Sequence, residues 1–226
     1  MEYTKIVKAI FKERPNRFIA IANIDGKEET VHVKNTGRCR ELLVKGATVF
    51  LEEGQNPNRK TKYDLVGVIK NGNLINMDSQ APNKVAIEFL KESNLFSKNA
   101  IIKGEVTYKS SRFDIFVTDG DRRAFIEVKG VTLENDGIAM FPDAPTERGI
   151  KHIRELISAK DEGYESYILF VIQMKGIKEF TPNYSTHLEF GNTLKIAKEK
   201  GIEILAYDCI VTENSLKIDM PVAVRL

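Results

Sequence analysis

The chain has 226 residues, 42% hydrophobic and 29% charged, with a net charge of +2, a profile that suits a soluble globular protein with length for two modest cores. It shows no basic-then-apolar leader and no apolar run long enough for a bilayer, so the expected compartment is the cytoplasm, with no membrane partner. Cys39 and Cys209 are too few and too scattered for a disulfide framework or a thiolate metal site, and the spacing of His32, His152 and His187 argues against zinc.

Charge is unevenly placed. Residues 1–80 carry 14 Lys/Arg against 10 Asp/Glu, and residues 81–226 carry 20 against 22, which makes the N-terminal part the better candidate for a phosphate backbone. There, Arg17 to Ile24 and Glu28 to Val33 alternate as strands about Asp25-Gly26. A third strand is expected from Ala47 to Glu52, and Tyr63 to Lys70 and Leu74 to Met77 flank Asn71-Gly72. Five short strands with no helix between them suggest a small all-β barrel. Barrels of this size bind strands through cationic grooves. Arg38 and Arg40, within Asn35 to Glu41, and Arg59, Lys60 and Lys62, in the polar loop Gly54 to Lys62, are the candidates for DNA phosphate contacts. The other reading of Arg38 and Arg40 is solubility or packing between domains. Phe18, Phe50 and Tyr63 are assigned to the core.

Strand-like text ends at Asp78 to Pro82, which divides the chain into domains 1–80 and 81–226. Asn83 can cap a helix whose Val85, Ala86, Phe89 and Leu90 recur at helical spacing. Ile101 to Tyr108 reads as a strand. It leads into Arg112 to Val117 and Ala124 to Val128, a hairpin about Gly120-Asp121 in which paired positions sum to 241. That register sets Asp114 opposite Glu127 and Arg112 opposite Lys129. Phe113, Ile115, Val117, Ile126 and Val128 are expected on one apolar face, and Asp114, Glu127 and Lys129 on the other. Two carboxylates directly across a strand pair repel each other, so a positive group is expected between them. One reading makes it a Mg²⁺ or Mn²⁺ ion, completed by water and phosphate oxygens, with Lys129 orienting a water. The other makes the face a solvated one in which Lys129 is a salt-bridge partner. Glu105, in the preceding strand, can add a carboxylate to the metal shell.

Further on, Glu134 to Gly137 reads as a turn and Ile138 to Phe141 as a short strand. A helix follows with Asp143 as N-cap, Pro145 just inside and Gly163 at its end. Its first turns carry Arg148 and Lys151, candidate phosphate contacts with surface charge as the alternative. His152 is assigned to packing. Ser166 to Gln173 reads as a strand buried on both faces, Phe190 to Glu199 as a helix and Ile202 to Tyr207 as a strand, which gives an α/β domain with a mixed sheet. No nucleotide-binding glycine motif is present, so no nucleotide cofactor is expected.

Asp114 with Glu127-Val-Lys129 resembles the PD-(D/E)xK nuclease signature. The surrounding text, Ser111-Arg-Phe-Asp114, Glu127-Val-Lys-Gly-Val-Thr-Leu133, Phe141-Pro-Asp-Ala-Pro-Thr-Glu-Arg-Gly-Ile-Lys-His152 and Asn35-Thr-Gly-Arg-Cys-Arg-Glu-Leu-Leu43, resembles the sugar fermentation stimulation protein (SfsA) family. The resemblance implies an N-terminal OB-like β-barrel, a PD-(D/E)xK nuclease-like α/β domain, DNA binding and a role in regulating sugar utilisation. On that basis Asp114, Glu127 and Lys129 are the candidate catalytic residues, and Asp114, Glu127 and Glu105 the candidate metal ligands. Glu88, in the first helix, is either an acid of the kind nuclease folds supply or, as the favoured reading, a solvated or salt-bridged glutamate. Phe113 stands where the nuclease signature has proline, outside the metal chemistry. The expected function is metal-dependent phosphodiester hydrolysis on weakly sequence-specific DNA, with a non-cleaving DNA-binding regulator as the alternative.

Overall fold

A computed structural model describes every residue except Thr36, in the Asn35 to Glu41 segment, and Pro57, in the Gly54 to Lys62 loop, which lie outside the described residues. Strands β1 (Ile6–Asn16), β2 (Ile19–Ile24), β3 (Lys27–Val33), β4 (Thr48–Glu53) and β5 (Tyr63–Lys70) run in the order β3-β2-β1-β4-β5 and close through a parallel β3–β5 pairing, with β6 (Asn73–Asn76) added to β5. Closure removes the sheet edges that an open sheet of this size would expose. β1 is absent from the sequence reading, although Ala9 and Phe11 point inward between Lys8, Ile10 and Lys12. β2 starts at Ile19, two residues later than expected, which leaves Arg17 and Phe18 in the β1–β2 turn. Phe18 is therefore 50% exposed, not core, whereas Phe50 and Tyr63 are buried as expected.

Helix α1 (Ala81–Glu92) buries Val85, Ala86 and Leu90. Gln80 precedes it without a side-chain cap, and Pro82 sits in its first turn, where a missing N–H costs nothing. Asn83 is thus inside the helix, free to act elsewhere. The central sheet follows: β7 (Ile101–Tyr108), β8 (Ser111–Asp119) and β9 (Arg122–Val131), then, past the small strands β10 (Leu133–Asn135) and β11 (Ile138–Phe141) and helix α2 (Glu147–Asp161), β12 (Glu165–Ile172). Beyond β13 (Glu179–Pro182) and helix α3 (Leu188–Glu199) come β14 (Glu203–Val211), β15 (Leu216–Pro221) and β16 (Ala223–Val224). The order is β15-β14-β12-β9-β8-β7, with β12 parallel to both β9 and β14, so the sheet is mixed. A second sheet, β10-β11-β13-β16, lies alongside.

Thr146, not Asp143, caps α2, its hydroxyl accepting from Gly149 N at 3.1 Å. Asp143 is taken by the other domain, where Oδ2 accepts from Arg38 N at 3.0 Å. Barrel and α/β domain share one apolar core, from Phe11 and Leu65 to Phe113 and Phe170. Buried polar groups lie across the same seam. Gln173 Nε2 donates to Asn76 Oδ1 at 2.8 Å and to Asp78 O at 3.0 Å, and Asn76 Nδ2 donates to Tyr3 Oη at 2.8 Å. No helix is long and apolar enough to cross a membrane among the described residues.

Candidate active site

The β8–β9 hairpin turns at Gly120-Asp121, and its pairs, from Asp119↔Arg122 to Ile115↔Ile126, follow the expected register. The ladder ends there. Arg112 does not pair with Lys129: it lies opposite Thr107 of β7, while Lys129 lies opposite Phe170 of β12. Instead of continuing the ladder, Asp114 turns its carboxylate onto the β9 backbone, and Oδ2 accepts from Val128 N at 2.8 Å. Oδ1 accepts from Asn83 Nδ2 of α1 at 2.9 Å. The strict alternation expected of β8 breaks at the same point. Phe113 packs on Phe125, ring centroids 5.0 Å apart, while Ile115 joins Val117, Ile126 and Val128 on the opposite side of the sheet. Across from Asp114 in β7, Glu105 has φ 55°, a left-handed kink that interrupts the edge strand.

Glu127 is 2% exposed and projects toward α2. Its Oε1 lies 2.5 Å from Lys129 Nζ and 2.6 Å from His152 Nδ1. Arg148 Nε, one helical turn before His152, donates to His152 Nε2 at 3.4 Å. An Nε2 that accepts leaves the proton on Nδ1, where it is donated to Glu127. His152 is therefore more than a packing residue. Its position at helical spacing after Arg148, in the first turns of a helix covering the sheet, was the available signal. With Oε1 doubly engaged, Glu127 Oε2 is buried without a hydrogen-bond partner among the described residues. Burial opposes ionisation of Glu127, but Lys129 and His152 outweigh it and hold the carboxyl below its ordinary range. Asp114 shifts the other way. Burial, then the charge of Glu127, raises it above the ordinary aspartate value, against hydrogen bonds from Val128 and Asn83.

The remaining candidates divide by place. Glu105 is exposed and faces Arg112 at 3.6 Å, apart from the Asp114–Glu127 pair, because the kink at its own φ turns it outward. Glu88 pairs with the Met1 ammonium at 2.7 Å. Among the described residues no cluster of three or more His, Cys, Asp and Glu side chains is arranged to hold a metal, so at most the Asp114 and Glu127 carboxylates could serve a cation here. That fits a hard cation which keeps most of its shell as water and substrate oxygen, and the unpartnered Oε2 is a donor with capacity to spare. Arg148 stands beside this centre through His152. Lys151 is turned away, its Nζ donating to Ser110 O at 3.0 Å.

On the barrel, Arg38 and Arg40 are exposed and line one cleft with Arg14 and Arg17. Arg59 is committed to a forked ion pair with the buried Asp64, NH1 lying 2.9 Å from Oδ2. Lys62 pairs with Glu53 at 3.3 Å and covers the Tyr63 ring. Lys60 is exposed in the same loop, but the hollow there also presents Glu28, Glu29 and Glu53. Among the described residues, the cleft of Arg38 and Arg40 is lined by no acidic side chain, although the Asp143 carboxylate accepts from the Arg38 backbone beside it.

Comparison with known proteins agrees with this architecture. Residues 80–215 match the sugar fermentation stimulation protein RE domain, and residues 13–77 match the SfsA N-terminal OB domain. The chain is 57% identical over 218 residues to a sugar fermentation stimulation protein homolog of Clostridium beijerinckii, covering 96% of each chain. It is 58% identical over 226 residues to one of Desulfitobacterium hafniense, covering 100% of this chain and 99% of the relative. The solved structure of Pyrococcus furiosus SfsA in complex with Ca²⁺ superposes with a TM-score of 0.88 at 27% identity, over 100% of this chain and 98% of that one. The chain belongs to the sugar fermentation stimulation protein family.

Proposed function

We propose that this protein binds DNA with little sequence preference and hydrolyses its phosphodiester bonds with the help of a divalent cation, Mg²⁺ or Mn²⁺. The observation that carries the reading is Glu127 Oε2, a buried carboxylate oxygen without a partner among the described residues, on the strand that bears Lys129 and whose backbone holds the Asp114 carboxylate. The Ca²⁺ complex of the Pyrococcus furiosus relative supports a divalent cation in this fold. Asp114 and Glu127 would hold the ion, which supplies charge neutralisation on phosphate and a more acidic water. The chain's own groups do the rest. His152 and Lys129 fix Glu127, Asn83 and Val128 N fix Asp114, and Lys129 Nζ, 2.5 Å from Glu127 Oε1, would orient an attacking water. Arg148, one turn from His152, is placed to meet a phosphate.

The test incubates the full chain with single-stranded, duplex and branched DNA, with Mg²⁺, Mn²⁺ or EDTA. Metal-dependent cutting lost in Lys129→Ala and Glu127→Gln is expected. Binding with no cutting under any metal would overturn hydrolysis and leave a DNA-binding regulator.

A further inference from the structure

The β1–β2 turn holds out an aromatic ring where a globular domain would bury one. Phe18 is 50% exposed, and the Arg17 guanidinium lies 5.8 Å from its ring centroid. Beside it opens a cleft of about 480 Å³, lined by Arg14, Arg17, Arg38 and Arg40 with Leu43 and Ala144, and among the described residues no acidic side chain lines it. Arg14 is the clamp of this cleft. Its two terminal nitrogens donate to Arg17 O at 2.7 Å, Asn35 O at 2.7 Å, Gly37 O at 2.9 Å and Arg38 O at 2.8 Å. The turn bearing Arg17 and Phe18 is thereby tied to the segment bearing Arg38 and Arg40, so the backbone carrying the cationic side chains is held in place and less of it is left to order on binding.

The cleft has a neighbour. Gly37 lines both it and a second hollow of about 170 Å³ at the domain seam, whose wall includes Gly130, the residue after Lys129. Gly37 is the wall between the two hollows, and the Asp143 carboxylate, which accepts from Arg38 N, lines the second of them.

We propose that this cleft receives a single-stranded DNA tail, its phosphates against Arg17, Arg38 and Arg40 and one base stacked on Phe18. The inference rests on the hydrolytic reading above and names its substrate class: DNA with an unpaired end or flap. In a duplex each base is covered on both faces by its neighbours, so an exposed ring beside a cationic cleft, next to Arg17 of its lining, selects unpaired strands. Arginines without an aromatic would hold either form through phosphates alone.

The experiment measures binding of the full chain to fluorescent dT12, U12 and a 12-base-pair duplex by anisotropy in EDTA, so that cleavage plays no part. The parent is expected to prefer dT12 to duplex and to bind dT12 at least as tightly as U12. Phe18→Ala should weaken dT12 about five- to a hundredfold, the range for one stacked base. It should leave duplex binding within about twofold, and Phe18→Trp should restore the parent affinity. Arg38→Ala with Arg40→Ala should weaken both forms. A thermal melt of each variant checks that it folds; Phe18, being half exposed, contributes little to the core. Unchanged dT12 binding in both Phe18→Ala and the double arginine variant overturns the proposal, as does equal loss of duplex and single-strand binding in Phe18→Ala, and tighter binding of U12 overturns the choice of DNA. Intact binding without metal-dependent cutting counts against hydrolysis alone.

Discussion

Asp114 and Glu127 should respond in opposite senses to loss of charge. Asp114 carries its charge half-buried and close to Glu127, with one oxygen bonded to Val128 N and the other to Asn83. Asn in its place keeps an oxygen for Val128 N, its new NH₂ donates to Asn83 Oδ1 once the Asn83 amide turns over, and the repulsion is shed, so Asp114→Asn is expected to be as stable as the parent, or more so, in EDTA. Glu127→Gln removes an anion from between Lys129 and His152 and strands the ammonium of Lys129, whose side chain is only 17% exposed. Breaking such a pair costs about 3–5 kcal/mol, and the residual solvent access of Lys129 argues for the low end. At about 2.1 cal/mol/K per residue, the 226 residues unfold with about 0.47 kcal/mol/K, so 3 kcal/mol lowers Tm by about 6 °C. Mn²⁺ at a hundredfold excess over Kd should raise the parent by about 2.7 kcal/mol, again about 6 °C. Neither variant should show that rise. Calorimetric scans of the three proteins, in EDTA and in Mn²⁺, give all six values. If Asp114→Asn is destabilised in EDTA yet keeps the Mn²⁺ shift, Asp114 is a structural partner of the β9 backbone and the two-carboxylate metal site is refuted.

Three further outcomes can be measured. The logarithm of DNA affinity should fall linearly with the logarithm of salt, and the double change of Arg38 and Arg40 to Ala should flatten the slope by about one to two phosphate contacts; an unchanged slope in a salt titration moves the binding surface off the barrel. Gly130→Ala should cost about 1–3 kcal/mol by overpacking, since a Cβ there would stand 2.6 Å from Gln173 Oε1 and 2.7 Å from Pro82 Cγ. Denaturant melts would report it. Glu165 is bonded to Arg122, with Nε 2.7 Å from Oε1, and to Tyr167 Oη at 2.7 Å, and these bonds, Arg122 foremost, pull its carboxyl down to about 2. A depressed folded-state value means that the stabilisation is complete above the ordinary glutamate value of 4.5 and is lost as pH falls toward about 2. The pair is partly exposed and screened, so its contribution is about 1 kcal/mol at most. Glu165→Gln should flatten the stability curve in that window only, as acid titration of Tm would show.

Much of the barrel and of the Asp114–Glu127–Lys129 trio can be read from local pattern, because alternation about Asp25-Gly26, Asn71-Gly72 and Gly120-Asp121 sets strands and register together. What escapes is decided by distant groups. Asp143 has the chemistry of an N-cap, but Arg38 N, 105 residues away, claims its carboxylate and leaves the cap to Thr146. Asn83 reads as a cap and serves instead to hold Asp114. Phe18 reads as core because strand alternation assigns it inward; the chain turns at that residue, and turns project their side chains outward. His152 shows an apolar-stripe position and nothing of Glu127 on the strand beneath. The short strands β13 and β16, four and two residues long, have too few positions for a period to register.

The polar seam at Gln173 has a consequence for how the chain holds together. Tyr3, Asn76, Asp78 and Gln173 are each no more than 5% exposed; Tyr3 bonds to Asn76 and Asp78 within the N-terminal half, and Gln173 reaches across from the sheet to Asn76 and Asp78. Pulling the halves apart would break both Gln173 bonds and, above all, uncover the shared apolar core. The barrel is thus no detachable cassette. The protein should melt as one cooperative unit, and a chimaera given a foreign barrel inherits an unpaired Gln173 unless the counterparts of Asn76 and Asp78 travel with it.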